Sequence, residues 1–373
     1  MFYAYGVSVQ GTYHTSNGVV CQDAHQIVRC GDNMIVAAVA DGLGSEKYTD
    51  VASRLAVDTA ASYCAENIKE GDDSDDILAV IRASFMISQR YIEKTAADRG
   101  HDFDQYDTTL SLAVVIHDTL YYGHSGDSGI LVMGEDGAFY QVTKQQRDDM
   151  GRVFPLAFED HWVFQEYEKK VVSVLLATDG MLEAFFPIYI RDEKVNIHVP
   201  LASFLMDRDR LHIAEEGEEA VRSKMENFIS SISPLQINDD KTIAVVINGT
   251  TVSGRQPDEY YEEPDWAMLK SRFHDRWRRA AYPDLYTDEE ESEEESKKVS
   301  QQESVKVAEG GEEENGREKS TAKDPEGGNS QFVEEELQNI SGESEETCGG
   351  DPPSGEISPG SDGGTGKSGF SGS

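Results

Sequence analysis

The sequence predicts an α+β fold built on antiparallel sheet and followed by a disordered acidic tail. Three observations carry this expectation: short strand-like runs that come in hairpins, two long helical patterns inserted between the second run and the third, and a break in composition near residue 285. Hairpins with a helix pair between them argue against a doubly wound parallel sheet, in which strand and helix alternate throughout.

The strand-like runs are 3–9, 34–40, 109–116, 120–124, 129–132, 138–142, 171–178 and 242–247. Turn residues at His117-Asp-Thr119 and Gly134-Glu-Asp-Gly137 join four of them into two hairpins. In the first helical pattern Ala52, Leu55, Ala56, Ala60, Tyr63 and Cys64 share a face, and in the second Ile77, Val80, Ile81, Phe85, Ser88 and Ile92 do. Asp50 and Ser74 are the expected N-caps. Further on, Trp266, Leu269, Phe273, Trp277 and Ala280 recur at helical spacing between Pro264-Asp265 and Pro283, among Lys270, Arg272, Arg276, Arg278 and Arg279. This predicts a helix over 264–282, either packed on the domain with its charges solvated or serving to dock a partner or the acidic tail.

From 286 to 373 there are 24 acidic and 7 basic residues, three aromatics, and repeated Gly, Ser and Pro. Such a segment cannot bury enough apolar surface to offset its chain entropy, so it is expected to be disordered. It contributes −17 of the formal charge of −38 and leaves −21 for residues 1–285. A field of that sign repels nucleic acid and anionic lipid and attracts metal cations and basic peptide segments; it also favours solubility. No leader-like segment opens the chain and no apolar run reaches a membrane-spanning length, so neither membrane nor nucleic acid is an expected partner. The cysteines Cys21, Cys30, Cys64 and Cys348 form no Cys-x-x-Cys pair, which points to a reducing cytoplasm rather than a disulfide scaffold or zinc site. Cys21 lacks a basic neighbour in sequence that would activate it and is expected to pack.

Five aspartates stand beside the apolar runs: Asp23, Asp41, Asp127, Asp179 and Asp239. Two share a context, since Met34-Ile-Val-Ala-Ala-Val-Ala40 leads into Asp41-Gly42 and Val171-Val-Ser-Val-Leu-Leu-Ala-Thr178 into Asp179-Gly180. A buried strand that stops at a carboxylate followed by glycine puts an acceptor at a sheet edge with accessible backbone beside it. Several such edges together would make an oxygen cage for hard divalent ions. Taken alone, Asp41 or Asp179 reads better as an ordinary turn residue than as a ligand, and Ser125-Gly-Asp-Ser128 has the composition of a tight turn.

The order of these aspartates resembles the protein phosphatase 2C family of metal-dependent protein phosphatases, in the form of a bacterial branch. The matching segments are His14-Thr-Ser-Asn-Gly-Val-Val-Cys-Gln-Asp-Ala24, Ala40-Asp-Gly-Leu-Gly44 with Ala52-Ser53, Asp107-Thr-Thr-Leu110, Ser125-Gly-Asp-Ser128, Ala177-Thr-Asp-Gly180 and Asn238-Asp-Asp-Lys-Thr242. The resemblance spans roughly residues 1–250 and implies a four-layer α-β-β-α sandwich, with two antiparallel sheets face to face and helices outside. With the composition break near 285 and the helical spacing after Pro264, it divides the chain into a catalytic domain over 1–252, a helical extension over 253–285 and the tail over 286–373.

The resemblance also implies two Mn²⁺ or Mg²⁺ ions, with a third at a weaker site. Asp41 would bridge the two ions, the Gly42 carbonyl would bind the second, Asp179 and Asp239 would hold the first, and Asp127 would serve the additional site. Asp23 matches the aspartate that orients the attacking water. Such a centre would hydrolyse phosphoserine and phosphothreonine esters in proteins, the substrates of a cognate kinase. Two departures are visible: 17–20 carry no arginine to grip the phosphate, and Leu43 stands where some relatives have a histidine. His14, nine residues before Asp23, is the nearest replacement, as phosphate ligand, as proton donor to the leaving oxygen, or as a residue bonded only within its loop. Lys47, Arg54 or a residue on the loop after Lys144 are the remaining candidates. The alternative function is a catalytically weak phosphatase-fold adaptor for phosphoproteins or a kinase, favoured by the missing arginine and disfavoured by the complete set of aspartates. A calcium-buffering acidic protein would suit the tail but leaves the ordered motifs unexplained.

Overall fold

A computed structural model describes residues 1–44 and 46–282. The chain opens with β1 (Phe2–Val9), a short helix α1 (Thr12–Asn17), β2 (Ala24–Cys30) and β3 (Met34–Ala40). Two long helices, α2 (Thr49–Asn67) and α3 (Ser74–Arg99), precede β4 (Leu110–Ile116), β5 (Thr119–Ser125), β6 (Gly129–Gly134) and β7 (Phe139–Gln141). After a loop, β8 (Val163–Glu166) and β9 (Val171–Ala177) lead into α4 (Asp179–Phe185), α5 (Val199–Met206), α6 (Arg208–Leu211), α7 (Ile213–Glu216) and α8 (Glu218–Ser231). β10 (Lys241–Asn248) and α9 (Trp266–Ala281) follow.

The strands form two five-stranded sheets of order β1-β10-β9-β6-β7 and β2-β3-β4-β5-β8, with every neighbouring pair antiparallel. Alternation along each strand assigns its side chains to layers. Ile35, Ala37 and Val39 of β3 meet Val174 and Leu176 of β9 and Val246 of β10 between the sheets. On the outer face of one sheet Val36 and Ala38 pack under Ala52, Ala56, Ala60 and Phe85 of the α2–α3 pair. On the other, Leu175, Ile243 and Val245 pack under Leu201 and Leu205 of α5 and Met225 and Ile229 of α8. Both faces of β3, β9 and β10 are covered, which is why these strands read as nearly continuous apolar runs rather than alternating ones, broken only by Ser173 in β9 and by Lys241, Thr242 and Asn248 at the ends of β10. The result is the expected α-β-β-α sandwich.

All eight expected strands are present, with ends shifted by one or two residues, and both hairpins form across the turns named above. Two strands escaped the pattern, β2 and β8, and both are edges of the same sheet. An edge strand needs less apolar character, and the half-buried Ala-His-Gln-Ile-Val-Arg-Cys and the four-residue Val-Phe-Gln-Glu show little of it. Neither expected cap holds. Tyr48 precedes α2 without a side-chain cap bond and Asp50 falls in the first turn. Asp73, whose backbone is extended, accepts from Asp76 N at 2.9 Å and caps α3, while Ser74 is already helical.

α9 forms as expected, with Asp265 as its cap, yet of its apolar stripe only Leu269 is buried and Trp277 is 57% exposed. The tail from 286, expected to be disordered, and Cys348 lie outside the described residues. No helix of the described residues is long and apolar enough to cross a membrane.

Candidate metal centre

Antiparallel register brings the five aspartates to one end of the sandwich. Ala24 pairs with Ala40, Leu110 with Ser125, and Ala177 with both Gly129 and Ile243, so strand starts and strand ends alternate along one edge. Asp23 immediately precedes β2, Asp41 follows β3, Asp127 lies between β5 and β6, Asp179 heads α4, and Asp239 stands two residues before β10.

The backbone of Asp41 is held on both sides. Its N–H donates to Thr109 Oγ1 at 2.9 Å, and its carbonyl accepts from Thr108 Oγ1 at 2.9 Å and from Thr109 N at 2.8 Å. Thr109 Oγ1 also meets Ser128 Oγ at 2.8 Å, which ties the Asp41 turn to the residue after Asp127. The glycine next to Asp41 is a packing requirement, because a Cβ at Gly42 would lie 2.7 Å from Thr49 O. A Cβ at Gly180 would lie 2.3 Å from Asp240 O, so the second Asp-Gly step lets the start of α4 close on the β10 approach.

Asp41, Asp127 and Asp179 each bring a carboxylate oxygen within 4.8 Å of the others. Burial, and then repulsion from Asp23, Asp179, Asp127 and Asp239, hold the Asp41 carboxyl well above the usual carboxylate range. Asp179 is pushed up to about 6 by burial and by Asp127 and Asp239, against the opposing Arg147. Asp23 is buried, accepts from Thr178 Oγ1 at 2.7 Å, and is raised by burial and by Asp240 and Asp179. Arg147, on the loop between β7 and β8, contacts Asp127 Oδ2 at 2.6 Å and Asp179 Oδ2 at 3.1 Å.

This donor set fits hard divalent cations. It consists of carboxylate oxygens and nearby backbone, it is crowded with negative charge, and the buried Asp127 Oδ1 and Gln22 Oε1 have no hydrogen-bond partner among the described residues. The thiol of Cys21 is pushed up by burial and by Asp23 and Asp240, so it packs beside the acids rather than acting as a nucleophile.

A stability consequence follows for the metal-free protein. A carboxylate whose folded pKa lies above its unfolded value near 3.9 destabilises the fold fully above the folded pKa and not at all below the unfolded one. For Asp179 that window runs from about 6 down to about 4. In chelator the Tm of native protein minus that of Asp179→Asn should therefore be most negative near pH 7.5 and move upward as pH falls towards about 4. A difference that stays flat over this range would refute the crowding.

His14 lies in α1, buried, with Nδ1 2.9 Å from Asp240 Oδ2. Gly18 ends α1 in the left-handed conformation (φ 67°) and returns the chain towards Asp23, as the turn composition anticipates. Asp240, which sequence reasoning passed over in favour of its neighbour, is 3% exposed and organises this corner. Its Oδ1 accepts from Gly11 N and its Oδ2 from Gln22 N, both at 2.6 Å. Asp239 is exposed and accepts from Asp240 N at 2.8 Å; His14, Asp239 and Asp240 form a second close group. His14 Nε2 lies 3.9 Å from where a Cβ of Gly44 would stand, so the ring faces the loop that follows Asp41.

Arg147 is the second residue the sequence did not single out, beyond the loop that carries it. Of the other cations considered, Lys47 lies over the Tyr48 ring and Arg54 donates to His25 O at 3.1 Å.

Comparison with known proteins gives one family match, to Protein phosphatase 2C over residues 10–227. No curated protein matches the chain. Among solved structures, a bacterial serine phosphatase aligns with TM-score 0.48 at 14% identity, covering 69% of this chain and all of that one. The serine/threonine phosphatase Stp1 from Staphylococcus aureus aligns with TM-score 0.45 at 16% identity, covering 66% of this chain and 95% of that one. PppA of Pseudomonas aeruginosa, described as a key regulatory component of T6SS, aligns with TM-score 0.44 at 17% identity, covering 66% and 97%.

Proposed function

The chain belongs to the protein phosphatase 2C family and is a protein serine/threonine phosphatase; from that premise we propose that it hydrolyses phosphoserine and phosphothreonine esters at a pair of Mn²⁺ or Mg²⁺ ions. The observation that carries this reading is the convergence of Asp41, Asp127 and Asp179 at one sheet edge, with Asp23 and Asp239 close enough to raise the Asp41 carboxyl. Asp41 would serve both ions, the Gly42 carbonyl the second, Asp179 and Asp239 the first, and Asp127 a third. When bound, the ions supply charge neutralisation for the phosphoryl oxygens and make the attacking water more acidic.

The chain's own residues do the rest. Asp23, fixed by Thr178, orients the attacking water. Arg147 supplies the guanidinium that 17–20 lack: its Nη2 already meets two carboxylates at the site, and a guanidinium there suits a phosphoryl group. A guanidinium at the site speaks for the enzyme over the catalytically weak adaptor, whose support was the missing arginine. We assign His14, whose Nδ1 lies 2.9 Å from Asp240 Oδ2, the role of giving a proton to the leaving oxygen. The substrates are phosphoproteins of the cytoplasm, made by a kinase of matching specificity.

The test is phosphate release from phosphothreonine peptides and an aryl phosphate with Mn²⁺, with Mg²⁺ and with chelator. Turnover should require added metal, and activity indifferent to chelator would sink the metal-centre reading. In the same assay Arg147→Ala should raise KM about tenfold on both substrates. His14→Ala should cost roughly ten- to a hundredfold on the phosphothreonine peptide and less on the aryl phosphate, whose leaving group needs no proton. Equal losses on both esters would reject His14 as the donor.

A further inference from the structure

α9 carries five cations and one carboxylate between residues 270 and 281, on a chain whose formal charge is −38. Its first half is anchored: Leu269 is buried, Trp266 meets His198 edge-on, and Phe273 meets Tyr189 edge-on. The second half stands in solvent. Trp277 and Tyr282 are 57% and 54% exposed with ring centroids 6.4 Å apart. Among the described residues, the ion pairs of Arg276 and Arg278 are with the exposed carboxylates of Asp192 at 3.3 Å and Asp275 at 3.6 Å. Solvated pairs of this kind hold each other weakly and exchange partners readily.

The stretch Asp288-Glu-Glu-Glu-Ser-Glu-Glu-Glu295, seven carboxylates in eight positions, begins six residues beyond Tyr282 and lies outside the described residues. We propose that this acidic run docks on the cationic, aromatic face of α9 around Arg276, Trp277 and Arg278. Six extended residues reach about 20 Å, whereas Arg276 lies about 8 Å back along the helix from its end. The run can therefore turn back onto that face. A tether this short gives a local concentration on the order of millimolar, enough to hold a contact made of weak charge pairs. The other occupants are disfavoured by charge: a second copy, a nucleic acid or an anionic membrane would each meet the field of a strongly acidic chain. The proposal is independent of the phosphatase reading.

The test compares amide hydrogen exchange over 270–282 in the full native chain with a full-length variant carrying Asp288→Asn and glutamine at the six glutamates of 289–295. These substitutions all fall beyond Tyr282 in the sequence and change none of the described residues. At about 20 mM salt the native helix should exchange about tenfold more slowly than the variant, and at about 0.5 M salt the two should coincide. Arg276→Ala with Arg278→Ala should abolish the difference while the native acidic run is retained. Equal exchange in native and neutralised chains at low salt would overturn the proposal. So would protection that grows with protein concentration, which would assign the face to a second copy.

Discussion

Asparagine at position 41, 179 or 239 is expected to lower turnover of a phosphothreonine peptide by at least about 10²-fold. Each change removes a charged oxygen from a centre that must balance the charge developing on the phosphoryl group, while the amide keeps the shape. Folding should survive. The Asp41 turn is held by backbone bonds to Thr108 and Thr109 that asparagine leaves untouched. The metal-free Asp41→Asn protein should in fact melt above the native one, because Asp41 is raised by burial and by four neighbouring acids. Added Mn²⁺ should then raise the Tm of the native protein and much less that of the variant, since an ion stabilises the fold in proportion to its occupancy. A variant that keeps near-native turnover at saturating Mn²⁺ would remove that position from the ligand set.

Asp240→Ala should be the most destabilising single change at this end of the molecule, at about 3 kcal/mol. It strips the acceptors from two N–H groups, Gly11 and Gln22, whose bonds at 2.6 Å are buried, and it removes the carboxylate beside the buried His14. For a domain of this size the loss is roughly 6 to 12 °C in Tm. Asp240→Asn should cost less, because its amide oxygen still accepts from one of the two groups. Chemical denaturation of both variants checks this, and a cost below about 1 kcal/mol for alanine would show that other contacts hold these loops. The two aspartates of Asn238-Asp-Asp-Lys-Thr242 thus have separable effects: Asp239→Asn strikes turnover and Asp240→Ala strikes the fold.

Asp41 and Asp179 were legible because each follows a run of seven or eight residues that is apolar but for Ser173 and Thr178, and is itself followed by a glycine. The inward-facing member of Asp239-Asp240 was not. Both precede the strand, where period-two alternation has not begun, and only the close approach of Gly11 and Gln22 makes Asp240 the buried one. Arg147 was invisible for another reason: it sits on a loop without periodicity, far along the chain from both Asp127 and Asp179. β2 and β8 were missed because an edge strand is chosen by its neighbour's hydrogen bonds more than by its own apolar content.

By itself the sequence determined the layers and the order of the acidic edges, since burial of apolar side chains at period 2 or 3.6 is a local rule that each segment obeys alone. The tertiary structure alone decided which carboxylate faces which partner: His14 against Asp240, Arg147 between Asp127 and Asp179, and Asp23 against Thr178. Those pairings depend on distances of a few ångströms between residues far apart in the chain. Sheet register and the closure of the β7–β8 loop set such distances, and electrostatic interaction in a partly buried site changes steeply over them.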